Sequence, residues 1–100
     1  MKPRKTKYLK KVLKKKGFAL YPEKNHHQFF YLEIDGIKQN IYTYFSHGKK
    51  EYGGSLMGKI KNQLKFDTSE NAEKFFDCPM DKDEYVELLI ELGVIDSDDN

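Results

Sequence analysis

From Lys5 to Lys16 the apolar residues Tyr8, Leu9, Val12 and Leu13 are set among lysines. Their i, i+1, i+4, i+5 spacing makes one stripe on a helix, and Gly17 stands where that helix should stop. Phe18 to Tyr21 is a short extended run cut off by Pro22, which suits only a sheet edge. His26 to Ile34 then reads "HHQFFYLEI" and closes on Asp35-Gly36, a dipeptide fitted to a type I′ hairpin turn. Ile37 to Phe45 is again β-branched and aromatic, so the two runs predict a hairpin.

Strand alternation sorts these residues onto two faces. His26, Gln28, Phe30, Leu32 and Ile34 share one parity and should meet the core, whereas His27, Phe29, Tyr31 and Glu33 point away from it. In the second strand Ile37, Gln39, Ile41, Thr43 and Phe45 lie on one side, leaving Lys38, Asn40, Tyr42 and Tyr44 exposed.

"SHGKKEYGG" is a loop by its glycines and charges. A second helix is predicted from Ser55, as N-cap, to Phe66, with Leu56, Met57, Ile60 and Leu64 on one side. Gly58 inside it costs about 1 kcal/mol relative to alanine, which implies close packing there. Thr68 or Ser69 should cap a short helix carrying Ala72, Phe75 and Phe76, ended by Cys78-Pro79. Asp81 and Glu84 have capping-box spacing ahead of a last helix with Tyr85, Leu88, Leu89 and Leu92, stopped by Gly93. Asp96 to Asn100 is an acidic tail.

These elements predict an α+β fold. Two amphipathic helices cover one face of a three-stranded antiparallel sheet, a helix-strand-strand-strand-helix sandwich of double-stranded-RNA-binding type, followed by two C-terminal helices. Residues 1–66 form the core and residues 67–100 an acidic extension packed on it, within one compact domain.

At 100 residues, 38% hydrophobic and 14% aromatic, the chain is apolar enough to fold. A single cysteine, Cys78, excludes an internal disulfide and offers no partner at metal-ligand spacing, so a reducing cytoplasmic setting is expected, without metal or cofactor. No apolar stretch is long enough to span a bilayer, and the basic N-terminus lacks a signal peptide's apolar run. The net charge of +2 hides a gradient. Residues 1–16 hold nine bases and no acid, whereas residues 67–100 hold two bases and twelve acids. A basic surface of this kind binds polyanions.

RNA carries its own nucleophile in the 2′-hydroxyl, so its cleavage needs a base, phosphate-holding donors and ideally an acid. The chain has three histidines, His26, His27 and His47, and a neutral imidazole suits the base. Pairing across the Asp35-Gly36 turn brings Phe45 opposite the His26 neighbourhood, so His47 could serve as the acid. Lys24, Lys49, Lys50, Lys59, Lys61 and Lys65 are candidate phosphate contacts, with solubilising charge as the alternative. Tyr31, Tyr42 and Tyr44 either stack on unpaired bases or bury against the acidic helices. Phe75, Phe76, Tyr85, Leu88, Leu89 and Leu92 call for burial of the extension, while its acids could instead shield the basic face in cis.

In order along the chain, the basic helix ending in "KKKGF", then "NHHQFF", the "DG" hairpin, "SHGKKEYGGSL" and "LMGKIKNQL" resemble the HicA toxins of type II toxin-antitoxin systems over about residues 5–66. The resemblance implies a double-stranded-RNA-binding-like fold, ribosome-independent mRNA cleavage through one histidine, and neutralisation by a HicB-like antitoxin covering the active face. It places the catalytic histidine at His26, the first of the pair, whereas strand parity favours His27 as the exposed one. Lys24-Asn25 stands where the family has Gly-Ser, and the acidic extension has no counterpart in the family pattern. A non-catalytic RNA-binding module and a protein-interaction domain are the alternative readings.

Overall fold

The computed structural model describes residues 1–21 and 27–96. In chain order it contains β1 (Arg4–Lys5), α1 (Thr6–Lys15), β2 (Phe18–Tyr21), β3 (His27–Ile34), β4 (Ile37–Ser46), β5 (Glu51–Tyr52), α2 (Gly54–Gln63), α3 (Ser69–Phe76) and α4 (Lys82–Glu91). The expectations on Pro22, Lys24 and His26, and on the tail beyond Asp96, fall outside the described residues. No helix among those described is long and apolar enough to cross a membrane.

The main sheet is antiparallel in the order β2-β3-β4, which makes the short Phe18–Tyr21 strand an edge. Asp35 and Gly36 both take positive φ, 53° and 77°, and Ile34 pairs with Ile37, as a type I′ hairpin turn requires. Tyr31 pairs with Tyr42 but Glu33 with Lys38, so Gln39, Asn40 and Ile41 together face Leu32. This bulge bends the strand pair. A second, two-stranded sheet, absent from the sequence reading, joins β1 to β5.

Alternation holds along both long strands. Phe30, Leu32, Ile41, Thr43 and Phe45 are buried on the inner face with Leu9, Val12 and Leu13 of α1 and Met57 and Ile60 of α2. Apart from Thr43, whose hydroxyl donates to Gln63 at 2.6 Å, each of these side chains contributes about 1.5–3 kcal/mol on burial. Ile37 shares their parity yet is 65% exposed, because it lies at the hairpin tip. The cluster continues through Leu64, Phe66, Ala72, Phe75, Phe76, Tyr85 and Leu89, so the acidic helices are part of the same core. Tyr85 donates to the Leu64 carbonyl at 2.7 Å, and its burial raises the phenol's pKa far above normal.

Capping follows the sequence at α3 and α4. The Thr68 hydroxyl accepts from the Asn71 amide, and Asp81 and Glu84 form both bonds of a capping box. α2 differs: it begins at Gly54 with Gly53 as N-cap, so Ser55 lies inside the helix. A Cβ at Gly54 would come within 2.8 Å of the Met1 carbonyl, so the chain's start occupies the space next to this turn. α2 also ends at Gln63, short of Phe66, and the chain leaves through Lys65 at φ 68°. Gly58 has open space where a side chain would stand, so the close packing expected there is absent.

Two buried cations tie the N-terminal segment to α3. The Arg4 guanidinium hydrogen-bonds Glu73 and, at 3.0 Å, Asp77, and its Cζ lies 5.6 Å from the Phe76 ring centre. Lys16, only 2% exposed, donates to the Phe75 carbonyl with its Nζ 4.8 Å from the Phe75 ring centre. Burial pushes this ammonium below its ordinary pKa. Glu73 and Asp77 therefore serve partly as counter-charges to the chain's own basic start.

Candidate nucleic-acid interface

The groove begins with how the loop after β4 is held. Thr6, at the start of α1, donates its hydroxyl to the Lys49 carbonyl at 2.7 Å and its amide to the Lys50 carbonyl at 2.9 Å. The Ser46 amide donates to the buried Tyr52 hydroxyl at 3.1 Å. Between these ties Ser46, His47, Gly48 and Lys49 make a tight turn, closed by the Lys49 amide on the Ser46 carbonyl at 3.4 Å. Gly48 has φ 83°, which a side-chain-bearing residue rarely adopts. The motif "SHGK" thus fixes His47 at the lip of α1.

The resulting groove, of about 740 Å³, is lined by Lys5 and by Lys7, Lys10, Lys11 and Lys14 of α1 on one side, and by Ser46, His47, Gly48, Lys49 and Lys50 on the other, with Thr6 and Gln28. Seven lysines and no acid face it. Gln28 accepts from the Lys10 ammonium, which joins the sheet to the helix wall. Such a concentration of ammonium groups attracts a polyanion, and a phosphate chain satisfies it with charge-assisted hydrogen bonds.

The two described histidines are separated by the sheet. His27 pairs with Ser46, and its ring lies 5.2 Å from that of Tyr44 on the outer face. His47, one residue past that rung, lines the groove on the helix side with Gln28. His47 therefore reaches the end of β3 anticipated from the hairpin, but not the face that carries His27. Among the described residues no group of His, Cys, Asp and Glu could hold a metal ion.

Of the candidate lysines, Lys49 and Lys50 line the groove while Lys59, Lys61 and Lys65 do not. Lys65 instead borders a smaller pocket of about 280 Å³ with Asn40, Tyr42, Tyr44 and Gln63. The α1 lysines are further groove residues that the sequence signals only through spacing, since Lys7, Lys11 and Lys14 stand at i, i+4, i+7, one face of a helix. The groove lining includes no residue beyond Lys50, so the described part of the acidic extension does not cover it.

Tyr31, Tyr42 and Tyr44 do not bury against the acidic helices. Tyr31 stacks on Tyr42 at 4.8 Å and Phe29 on Tyr44 at 5.2 Å, all on the outer face. Another cleft, of about 630 Å³, lies between the hairpin tip and α4, among Ile34, Ile37, Val86, Ile90 and Val94. It carries no histidine and one lysine. Comparison of the chain with protein-family models, curated proteins and solved structures found no match.

Proposed function

We propose that this chain is a HicA-like endoribonuclease. It holds single-stranded RNA by its phosphates in the lysine groove and cleaves it by histidine-assisted attack of the 2′-hydroxyl on the neighbouring phosphorus, which breaks the P–O5′ bond and leaves a 2′,3′-cyclic phosphate and a protonated 5′-hydroxyl. The observation that carries the reading is the acid-free groove with His47 on its rim. The lysines would neutralise the phosphate and stabilise the charge that builds on its oxygens, and the imidazole would take or return the proton. The arrangement of α1 and α2 against one face of the three-stranded sheet supports a double-stranded-RNA-binding-like fold, in which the groove lies between α1 and the β4–β5 loop. A cytoplasmic location and a HicB-like antitoxin belong to the same proposal. Such an antitoxin would be drawn to the groove by its charge.

The opposite facing of His27 and His47 favours a second reading, an RNA-binding module without catalysis, because the described histidines do not form an acid-base pair. Cleavage of a labelled single-stranded RNA by the purified protein decides between them, run beside His26→Ala, His27→Ala and His47→Ala with circular dichroism as the folding control. Loss of cutting in one folded variant identifies the base. Binding without cutting by all four proteins leaves the module.

A further inference from the structure

The outer face of the sheet lies opposite the helices and the groove. Alternation along β3 and β4 places His27, Phe29, Tyr31, Tyr42 and Tyr44 there, and Tyr21 extends the row from β2, with its ring 5.2 Å from that of Tyr31. Tyr42 and Tyr44 are 36% and 39% exposed. A contiguous exposed patch of this kind marks a binding surface. We infer that this face is a stacking platform for unpaired nucleobases, and that the pocket among Asn40, Tyr42, Tyr44, Gln63 and Lys65 receives one base. The inference rests on RNA being the ligand of the groove.

Three observations select nucleobases. First, the face is made of flat rings and not of branched aliphatics, and every base offers a π-face to such rings. Second, cations rim it: the Lys38 ammonium stands 4.0 Å from the Tyr31 ring centre and 4.7 Å from that of Tyr21, and Lys65 borders the pocket. Glu33, an acid on this face, accepts a hydrogen bond from the Tyr21 hydroxyl. Rings flanked by cations complement a strand of bases flanked by phosphates. Third, the platform is continuous with the groove. Ser46 lines the groove and pairs with His27, whose ring is 5.2 Å from that of Tyr44, so a strand leaving the groove at Ser46 meets the rings at once. In the pocket, the Asn40 amide supplies a donor and an acceptor of the kind that read base edges, and Gln63, whose Oε1 accepts from the Thr43 hydroxyl at 2.6 Å, adds its NH2 donor. An RNA strand would thus pass over the Ser46 end of the β3–β4 pair, with phosphates in the groove on the helix side and bases on the outer face.

The test uses two probes: a labelled 2′-O-methyl single strand, which cannot supply the 2′-hydroxyl nucleophile, and an abasic strand of equal length. Tyr44→Leu and Tyr42→Leu keep apolar bulk without the ring, and Tyr44→Ala and Tyr42→Ala are the stronger versions. Each leucine variant should bind the single strand roughly ten-fold more weakly at an unchanged salt slope, with no loss on the abasic strand. The chain has no tryptophan, so its tyrosine fluorescence is readable, and in the wild type the single strand should quench it while the abasic strand does not. If the folded variants bind the single strand as the wild type does and no quenching occurs, while binding stays salt-dependent, the platform is refuted. The groove reading then stands, and the face is left to a protein partner. If no probe binds at low salt, the RNA reading itself falls and the platform with it.

Discussion

Replacing Lys7, Lys11 and Lys14 by glutamine tests where the phosphates lie. The three side chains are exposed on α1 and line one wall of the groove. Glutamine is close to lysine in helix propensity, so stability should change by less than about 0.5 kcal/mol. With seven lysines in the groove each meeting one phosphate, the log-log dependence of single-strand affinity on salt should have a slope of about −5, at roughly −0.7 per contact. A rise from about 50 to about 200 mM salt then costs about 10³ in affinity. Removing three contacts should bring the slope to about −3. Anisotropy of a labelled strand across a salt series reads this directly. Lys59→Gln with Lys61→Gln, outside the groove, should leave the slope unchanged. An unaltered slope in the folded triple variant, or a reduced one in the α2 variant, refutes the placement of the backbone along α1.

Other consequences concern chemistry and stability. His47→Ala should lower the rate of RNA cleavage by about 10²–10⁴ while leaving affinity within about two-fold, as a single-turnover assay would show. Phe75→Ala empties a fully buried site among Phe18, Phe66, Phe76 and Tyr85 and should cost about 3–5 kcal/mol in a urea melt. Glu73 is held below its ordinary 4.5 by the Arg4 hydrogen bond. For Asp77, partial burial works upward, but the Arg4 and Lys2 contacts together keep it below 3.8. Carboxyls lowered in the folded state stabilise it at pH above their ordinary values, and that contribution is lost as pH falls through the folded-state pKa values. Thermal melts should therefore weaken below about pH 4, and Arg4→Met should flatten that decline.

The local elements were legible because their causes are local. The apolar stripe of α1, the Asp35-Gly36 turn, the Thr68 cap and the Asp81–Glu84 capping box each depend on residues within a turn or two, and each takes its expected form, except that Tyr8 of the stripe is 38% exposed and donates its hydroxyl to the Phe76 carbonyl. The inward and outward parity of β3 and β4 was equally readable, since a pleated strand has only two faces. Where the reading missed, a distant contact decided. Ser55 is a usable cap in isolation, but the helix starts at Gly54, where the Met1 carbonyl leaves no room for a side chain. The pairing of Arg4 and Lys5 with Tyr52 and Glu51 could not be seen in so short a strand, yet it is what brings the histidine loop to α1.

The candidate site divides in the same way. Sequence alone established a basic start, an aromatic hairpin, an acidic end and three histidines to consider. The tertiary structure decided that α1 and not α2 supplies the lysines beside His47, and that the sheet separates His47 from His27. It also placed Glu73 and Asp77 against Arg4 and not over the groove. Charge and periodicity are properties of a residue and its near neighbours, whereas a site is a relation between segments, and which segments meet is settled by how one buried core is shared among them.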